Sequence, residues 1–198
     1  MGQKKYIGKQ HKIIILIGES GSGKDTICNE LVKNGYHRIV THTTRPMRDN
    51  ETDGVEYHFD DIDNFMELVR NNSIIEYRTY DTVFGRWYYG SCAENINLNK
   101  HDYVIVLTPE GANSFIKYFG AENCIVFYIY APLYLRKKRA KERGNFKIDE
   151  WERRCITDKE DFSEEKVFAV ATFKINNYNR TLADVVKTIE KDIAIWKK

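Results

Sequence analysis

The residues with the most explicit chemistry are three glycines and a lysine. Gly18, Gly21, Gly23 and Lys24 stand in the run Gly-Glu-Ser-Gly-Ser-Gly-Lys-Asp-Thr, with Gly18 and Gly23 bracketing four residues. That is the spacing of a phosphate-binding loop. Successive N–H groups of such a loop point inward and form an anion nest. A helix starting near Lys24 adds the positive end of its dipole. Lys24 then reaches the outer phosphates of a nucleoside triphosphate, and Glu19, Ser20 and Ser22 complete the loop. The position after the lysine normally carries a Ser or Thr hydroxyl for magnesium. Here it is Asp25, and the hydroxyl comes one residue later, at Thr26. A metal contact therefore runs from Thr26, or from Asp25 through water.

A second concentration of charge lies between Thr41 and Gly54, where Arg45, Arg48 and Glu51 sit among hydroxyls and turn residues. Two arginines can grip a phosphate in the planar, paired manner that lysine cannot. Tyr57 and Tyr89 carry hydroxyls suited to the same anion, or else pack as plain aromatics. Glu76 lies inside an apolar run and is an acceptor only when ionised. A basic stretch carries Arg136, Arg139 and Arg143, with Arg153 and Arg154 beyond it. Arg139 and Arg143 are four apart and share a helical face. His11, His37, His42, His58 and His101 show no metal-ligand spacing.

The elements that must hold these groups follow from the apolar pattern. Ile13 to Ile17 is five apolar residues in a row, which predicts a strand buried on both faces. Ile27, Leu31 and Val32 mark a helix that ends at Gly35. Short strands are expected over 36–40, 55–59 and 74–80, with a helix capped by Asp60 or Asp61 among them. Strands over 103–107 and 124–130 follow, and Thr108 with Pro109 opens a helix between them. Helices from Leu133 to Gly144 and from about Asp149 come next. A last strand is expected within 168–175, then a helix from Thr181. Strand, loop and helix followed by βα units predict an α/β fold, a parallel sheet with helices on both faces. The short strands between 36 and 91 interrupt that alternation and read as an insertion over the carboxyl ends of the sheet.

Length and charge bound the rest. The 198 residues fit one domain, and the net charge of +2 creates no broad field for nucleic acid or a membrane surface. Cys28, Cys92, Cys124 and Cys155 are far apart. That favours reduced thiols in the cytoplasm over a disulfide framework or a zinc site. No long apolar run precedes Ile13, so no signal peptide is expected.

Taken together, these residues resemble the guanylate kinase family. The resemblance rests on the glycine loop and on Thr44-Arg45, Arg48, Glu51, Gly54, Tyr57 and Phe59, which follow that family's monophosphate-loop signature. Glu76, Tyr89-Gly90-Ser91 and the arginines Arg139, Arg143 and Arg154 extend it over nearly the whole chain. It implies a P-loop kinase core over 1–35 and 92–198, a monophosphate-binding insertion over 36–91 and a helical lid over about 136–156. It implies transfer of the γ-phosphate of ATP to GMP with Mg2+. Gly18 to Thr26 and Arg139 would hold ATP. Thr41, Arg45, Arg48, Glu51, Tyr57, Glu76, Tyr89 and Ser91 would hold GMP. Lys24, Arg48, Arg143 and Arg154 would neutralise the transferring group, and Thr26 with Asp25 would hold the metal.

Three departures from the family's pattern carry information. Glu19 and Asp25 add negative charge to the phosphate loop. Val106 and Thr108 replace two acids of a strand, which bears on metal contacts and base choice. The segment from Arg78 to Trp87, with Phe84, Gly85 and Arg86, is longer than the family's loop. A related monophosphate kinase with altered base specificity and a non-catalytic binding module are the alternatives.

Overall fold

The computed structural model describes residues 11–49, 51–82, 85–94, 96–142, 144 and 146–197. Strand β1 (Ile13–Ile17) lies at the centre of a five-stranded sheet. It is flanked by β7 (Tyr103–Val106) and β8 (Cys124–Tyr130), with β2 (His37–Arg38) and β9 (Phe173–Asn176) at the edges. All four pairings are parallel.

The apolar run of β1 has a direct physical reason. Ile13, Ile15 and Ile17 face a core that includes Phe115 and Phe119 of α3 (Pro109–Phe119). Ile14 and Leu16 face the other way, onto Ile27 and Leu31 of α1 (Lys24–Lys33) and Val185, Ile189 and Ile193 of α7 (Leu182–Trp196). A strand with helices on both faces has no solvent side, so no polar residue alternates along it.

A second sheet has the order β4-β3-β6-β5. It is built from β3 (Thr41–Thr43), β4 (Tyr57–Phe59), β5 (Ile74–Thr82) and β6 (Gly85–Cys92). Helix α2 (Ile62–Arg70) packs Phe65 under it, capped by Asp61, which accepts from the Asn64 N–H. The segment from Arg78 to Trp87 is a lengthened hairpin, with β5 and β6 paired out to Thr82 and Gly85. Val83 and Phe84 lie outside the described residues.

Several boundaries differ from expectation. The strand expected over 36–40 is only His37–Arg38, and it pairs with β7 of the core sheet rather than opening the insertion. Val55 is not extended. Its N–H donates to Thr52 O and that of Gly54 to Tyr57 O, so a turn consumes those bonds and β4 starts at Tyr57. Within 168–175 the last strand, β9, begins only at Phe173, and residues 168–170 close α6 (Glu164–Val170), which is capped by Ser163 and carries two acids in its first turn. Helices α4 (Leu133–Glu142) and α5 (Ile148–Asp161) complete the fold. Among the described residues, no helix is long and apolar enough to cross a membrane.

Candidate active site

The glycine loop sits between β1 and α1, at the carboxyl end of the central strand. Gly23 precedes α1 with φ +99°, and no side chain caps that helix. Helices α2, α3 and α7 all have side-chain caps. The first N–H groups of α1 are therefore left for an anion. A side chain at Gly23 would strike Asn177 Nδ2, and one at Gly21, φ +77°, would lie 2.7 Å from the Arg136 carbonyl. Lys24 Nζ donates to Glu19 O at 3.1 Å and closes the loop on itself. Asp25 and Thr26 are both exposed in the first turn of α1.

Both carboxylate oxygens of Glu19 are taken by donors of this chain. Arg136 donates to its Oε1 at 3.0 Å, and Tyr128 donates to its Oε2 at 3.1 Å. Burial, then the Glu19 charge, push the Tyr128 hydroxyl well above its usual range. Arg136 also donates to Ser20 O at 3.2 Å. Arg139 donates to Ser22 O at 3.1 Å and to Asn177 O at 2.9 Å, while Asn177 Nδ2 donates to Ser22 O at 2.7 Å. Ser20 gives its N–H to Asp158 Oδ2 at 2.8 Å and its hydroxyl to Asp158 Oδ1 at 3.2 Å.

On the second sheet, Arg45 is almost fully buried, at 4% exposure. Its fork donates to both oxygens of Glu51, at 2.9 and 2.7 Å, and its guanidinium lies 5.3 Å from the Tyr57 ring centre and 5.5 Å from that of Phe59. The hydrogen bond from Arg45 holds the Glu51 carboxyl below its usual range. The Arg48 N–H donates to the same carboxylate at 2.9 Å, and the Arg48 side chain is exposed. Tyr57 and Tyr80 stack edge-on against Tyr89 at 5.9 and 5.6 Å. Burial raises the Tyr57 hydroxyl, and the neighbouring charges of Tyr89 and then Asp25 push the same way. Asp25 follows Lys24, so the glycine loop and this aromatic cluster lie within electrostatic reach of each other.

Glu76 lies on β5, facing β6 and α3. Ser91 donates to its Oε1 at 2.7 Å, and a side chain at Gly111 would lie 3.2 Å from its Oε2. Burial pushes the Glu76 carboxyl above its usual range, against the Ser91 hydrogen bond and the Arg78 charge. A cleft of about 330 Å3 runs past Glu76, Arg78, Glu110, Gly111 and Ser114. Thr41 is half-buried and pairs with Tyr57 across β3 and β4. Thr108 accepts from the Gly111 N–H at 3.2 Å and caps α3.

The basic helices divide their arginines. Arg136 and Arg139 of α4 hold the glycine loop. On α5, Glu150 accepts from Arg153 at 2.8 and 2.9 Å and from Arg154 at 2.7 Å. The Arg153 bond leads in holding the Glu150 carboxyl down to about 2. Arg153 lines a cleft of about 540 Å3 between α5 and β5, with Tyr80, Thr157 and Asp161.

Comparison with known proteins matches the guanylate kinase family model over residues 10–192. The chain belongs to the guanylate kinase family. A guanylate kinase of Acinetobacter baylyi is 29% identical over 182 residues, covering 89% of this chain and 85% of the relative. One from Porphyromonas gingivalis is 26% identical over 189 residues, covering 92% of this chain and 96% of the relative. The crystal structure of guanylate kinase from Anaplasma phagocytophilum superimposes with a TM-score of 0.68 at 23% identity, over 96% of this chain and 88% of that one, and shares the fold.

Against the guanylate kinase pattern, the residues singled out in the sequence are distributed unevenly. Gly18 to Thr26, with Arg139, gather at one end of β1. Arg45, Glu51, Tyr57 and Tyr89 form one cluster, and Glu76 with Ser91 a second. Glu51 is spent on Arg45 and on the Arg48 backbone. Arg143 lies outside the described residues, and Arg154 pairs with Glu150 without lining the cleft, where Arg153 stands instead. Arg136, Asn177, Asp158 and Arg78 are the groups that sequence reading did not assign. Arg136 stands one turn before Arg139, which was a usable signal. The bonds of Asp158 to Ser20, Arg78 to Asp161 and Asn177 to Ser22 span 138, 83 and 155 residues, and no spacing rule reaches that far.

Proposed function

We propose that this guanylate kinase family member transfers the γ-phosphate of ATP to GMP, giving ADP and GDP. What supports the reading is the presence of two sets of groups suited to anions, with Asp25 of the first set close enough to Tyr57 of the second to act on its hydroxyl. One set is the uncapped start of α1 with Lys24, and the other is Arg45 with Tyr57 and Tyr89 on the second sheet. In this reading the second sheet and its flanking segments are the monophosphate-binding insertion, and α4 with α5 the lid. The setting is cytoplasmic.

Phosphoryl transfer asks the protein chiefly to position two nucleotides and neutralise charge. Lys24 and the loop N–H groups take the β- and γ-phosphates, with Arg139 steadying the loop. Arg45, Tyr57 and Tyr89 take the GMP phosphate, and Glu51 fixes the rotamer of Arg45. Arg48, Arg143 and Arg154 neutralise the group in transit, and Arg153 joins them from the cleft wall. Glu76 accepts from the guanine ring N–H and amino group. Adenine has no N–H at that ring nitrogen, so a charged acceptor rejects it. Thr41 and Ser91 contact the base from the other side.

Asp25 and Thr26 are hard oxygen donors on one exposed turn, which suits Mg2+ shared with ATP phosphates and water. The ion supplies charge neutralisation on the phosphate oxygens. The other clustered acids are committed, Glu19 to Arg136 and Tyr128, and Asp158 to Ser20.

One observation favours a second reading on base choice. Thr108 caps a helix where the family carries an acid, so discrimination rests more heavily on Glu76. A coupled assay with ATP, Mg2+ and a panel of purine and pyrimidine monophosphates tests both. Turnover highest with GMP is expected. No turnover in folded protein rejects the kinase reading, and equal turnover with AMP rejects the role of Glu76. ATP binding by calorimetry separates an enzyme from a non-catalytic module.

A further inference from the structure

One turn of α5 touches both halves of the candidate site. Asp158 and Asp161 are three residues apart and share a helical face. Asp158 accepts the Ser20 N–H at 2.8 Å and the Ser20 hydroxyl at 3.2 Å, at the tip of the glycine loop. Asp161 accepts both arms of the Arg78 fork from β5, one of them at 2.8 Å. Arg78 also reaches Glu110 on α3 at 3.1 Å. The side chains of Asp158 and Asp161 are each 12% exposed and that of Arg78 is 22% exposed. A fork on a carboxylate fixes direction as well as distance, and partial burial limits screening.

We propose that Asp158, Asp161 and Arg78 form a strut that sets the spacing between the donor phosphate loop and the acceptor sheet. The inference rests on the ATP–GMP reading of the site. The two phosphate sites belong to different sheets, so their separation is not fixed by either sheet alone. Transfer needs the reacting oxygen and phosphorus at about 3–3.5 Å, and misplacement by about 1 Å costs on the order of a hundredfold. The strut ties α5 to both units through side chains of its own. None of its three residues is assigned to either nucleotide. They are positioning residues, and their loss falls on the transfer step rather than on binding.

The test compares Arg78→Gln, Asp161→Asn and the double variant in the ATP–GMP assay, each at a temperature where it is fully folded. Each single change is expected to lower kcat about tenfold, with both KM values within about threefold. The double variant is expected to lose about tenfold as well, not a hundredfold, because both changes remove one link. Arg78→Lys keeps the charge without the fork and is expected to fall between. Hydrogen exchange in the nucleotide-free protein gives a readout without turnover, with α5 amides losing protection selectively in Arg78→Gln and Asp161→Asn. Unchanged kcat in both single variants, multiplied losses in the double, a loss confined to KM, or unchanged α5 protection each overturns the strut. Absent turnover in the wild-type protein instead rejects the kinase reading, and hydrogen exchange still decides whether α5 is docked this way.

Discussion

At the scale of single residues, the informative groups are two carboxylates pushed in opposite directions. Glu76 is raised above its ordinary 4.5, chiefly by burial. Between 4.5 and that raised value, the folded protein therefore holds a proton that the unfolded chain has already released. Stability falls as pH rises from 4.5 through the raised value. In the proposed reaction the guanine contact uses the ionised form, so KM for GMP is expected to climb as pH drops through that value. Glu76→Gln should abolish this limb and raise KM for GMP roughly tenfold or more, the worth of a charged hydrogen bond at about 1.5–3 kcal/mol. Steady-state kinetics across pH checks both, and a pH-independent wild-type KM would remove Glu76 from base recognition. Glu51 moves the other way, lowered by the fork of Arg45. Its contribution to stability is present above 4.5 and is lost as pH falls through the lowered folded value. Glu51→Ala leaves the buried guanidinium without its partner, which costs about 3 kcal/mol. Thermal melts should show that loss at neutral pH and a shrinking gap in acid.

At the scale of elements, the starts of α1 and α3 are contrasting solutions to the same problem. Both leave N–H groups unsatisfied. Thr108 fills one at α3, while Gly23 brings no side chain to α1. Thr108→Ala is expected to cost about 1 kcal/mol, and Thr108→Asp to cost nothing, since both Thr and Asp cap well and an acid suits a helix start. Thr108→Asp also places an acid at the start of the helix whose Gly111 lies against Glu76, so in the proposed reaction the preference for GMP over other monophosphates should sharpen while Tm holds. A lowered Tm in Thr108→Asp would show that the position tolerates no charge. Gly23→Ala should abolish ATP binding in calorimetry, because the added carbon meets Asn177 and the positive φ costs about 1–2 kcal/mol. These caps were legible in the sequence, because a cap lies within three residues of what it satisfies. The boundaries of β2, β4 and α6 were not, because turn bonds and sheet pairing compete there with weak local preference.

At the scale of the molecule, the parallel sheet seals two of the four cysteines. Cys28 and Cys124 are 2% and 3% exposed. Burial pushes the Cys124 thiol up to about 12, and that of half-buried Cys92 up to about 11. A thiol reagent at neutral pH is expected to spare Cys28 and Cys124 in the folded protein and to modify them at the rate of global unfolding. Rapid labelling of Cys124 under native conditions would mean that α3 and β8 open locally. The chain by itself determined the glycine loop, the central strand and the two sets of residues proposed to hold phosphates. Each is written in consecutive residues or in short, fixed spacings. Tertiary structure alone decided that Glu19 is neutralised by Arg136 and Tyr128, that Glu51 serves Arg45, and that Arg153 rather than Arg154 lines the cleft. It also decided that Asp158 meets the glycine loop while Asp161 meets β5. Those contacts follow from which helix faces dock, and docking is set by the summed packing of the whole core rather than by any local run of residues.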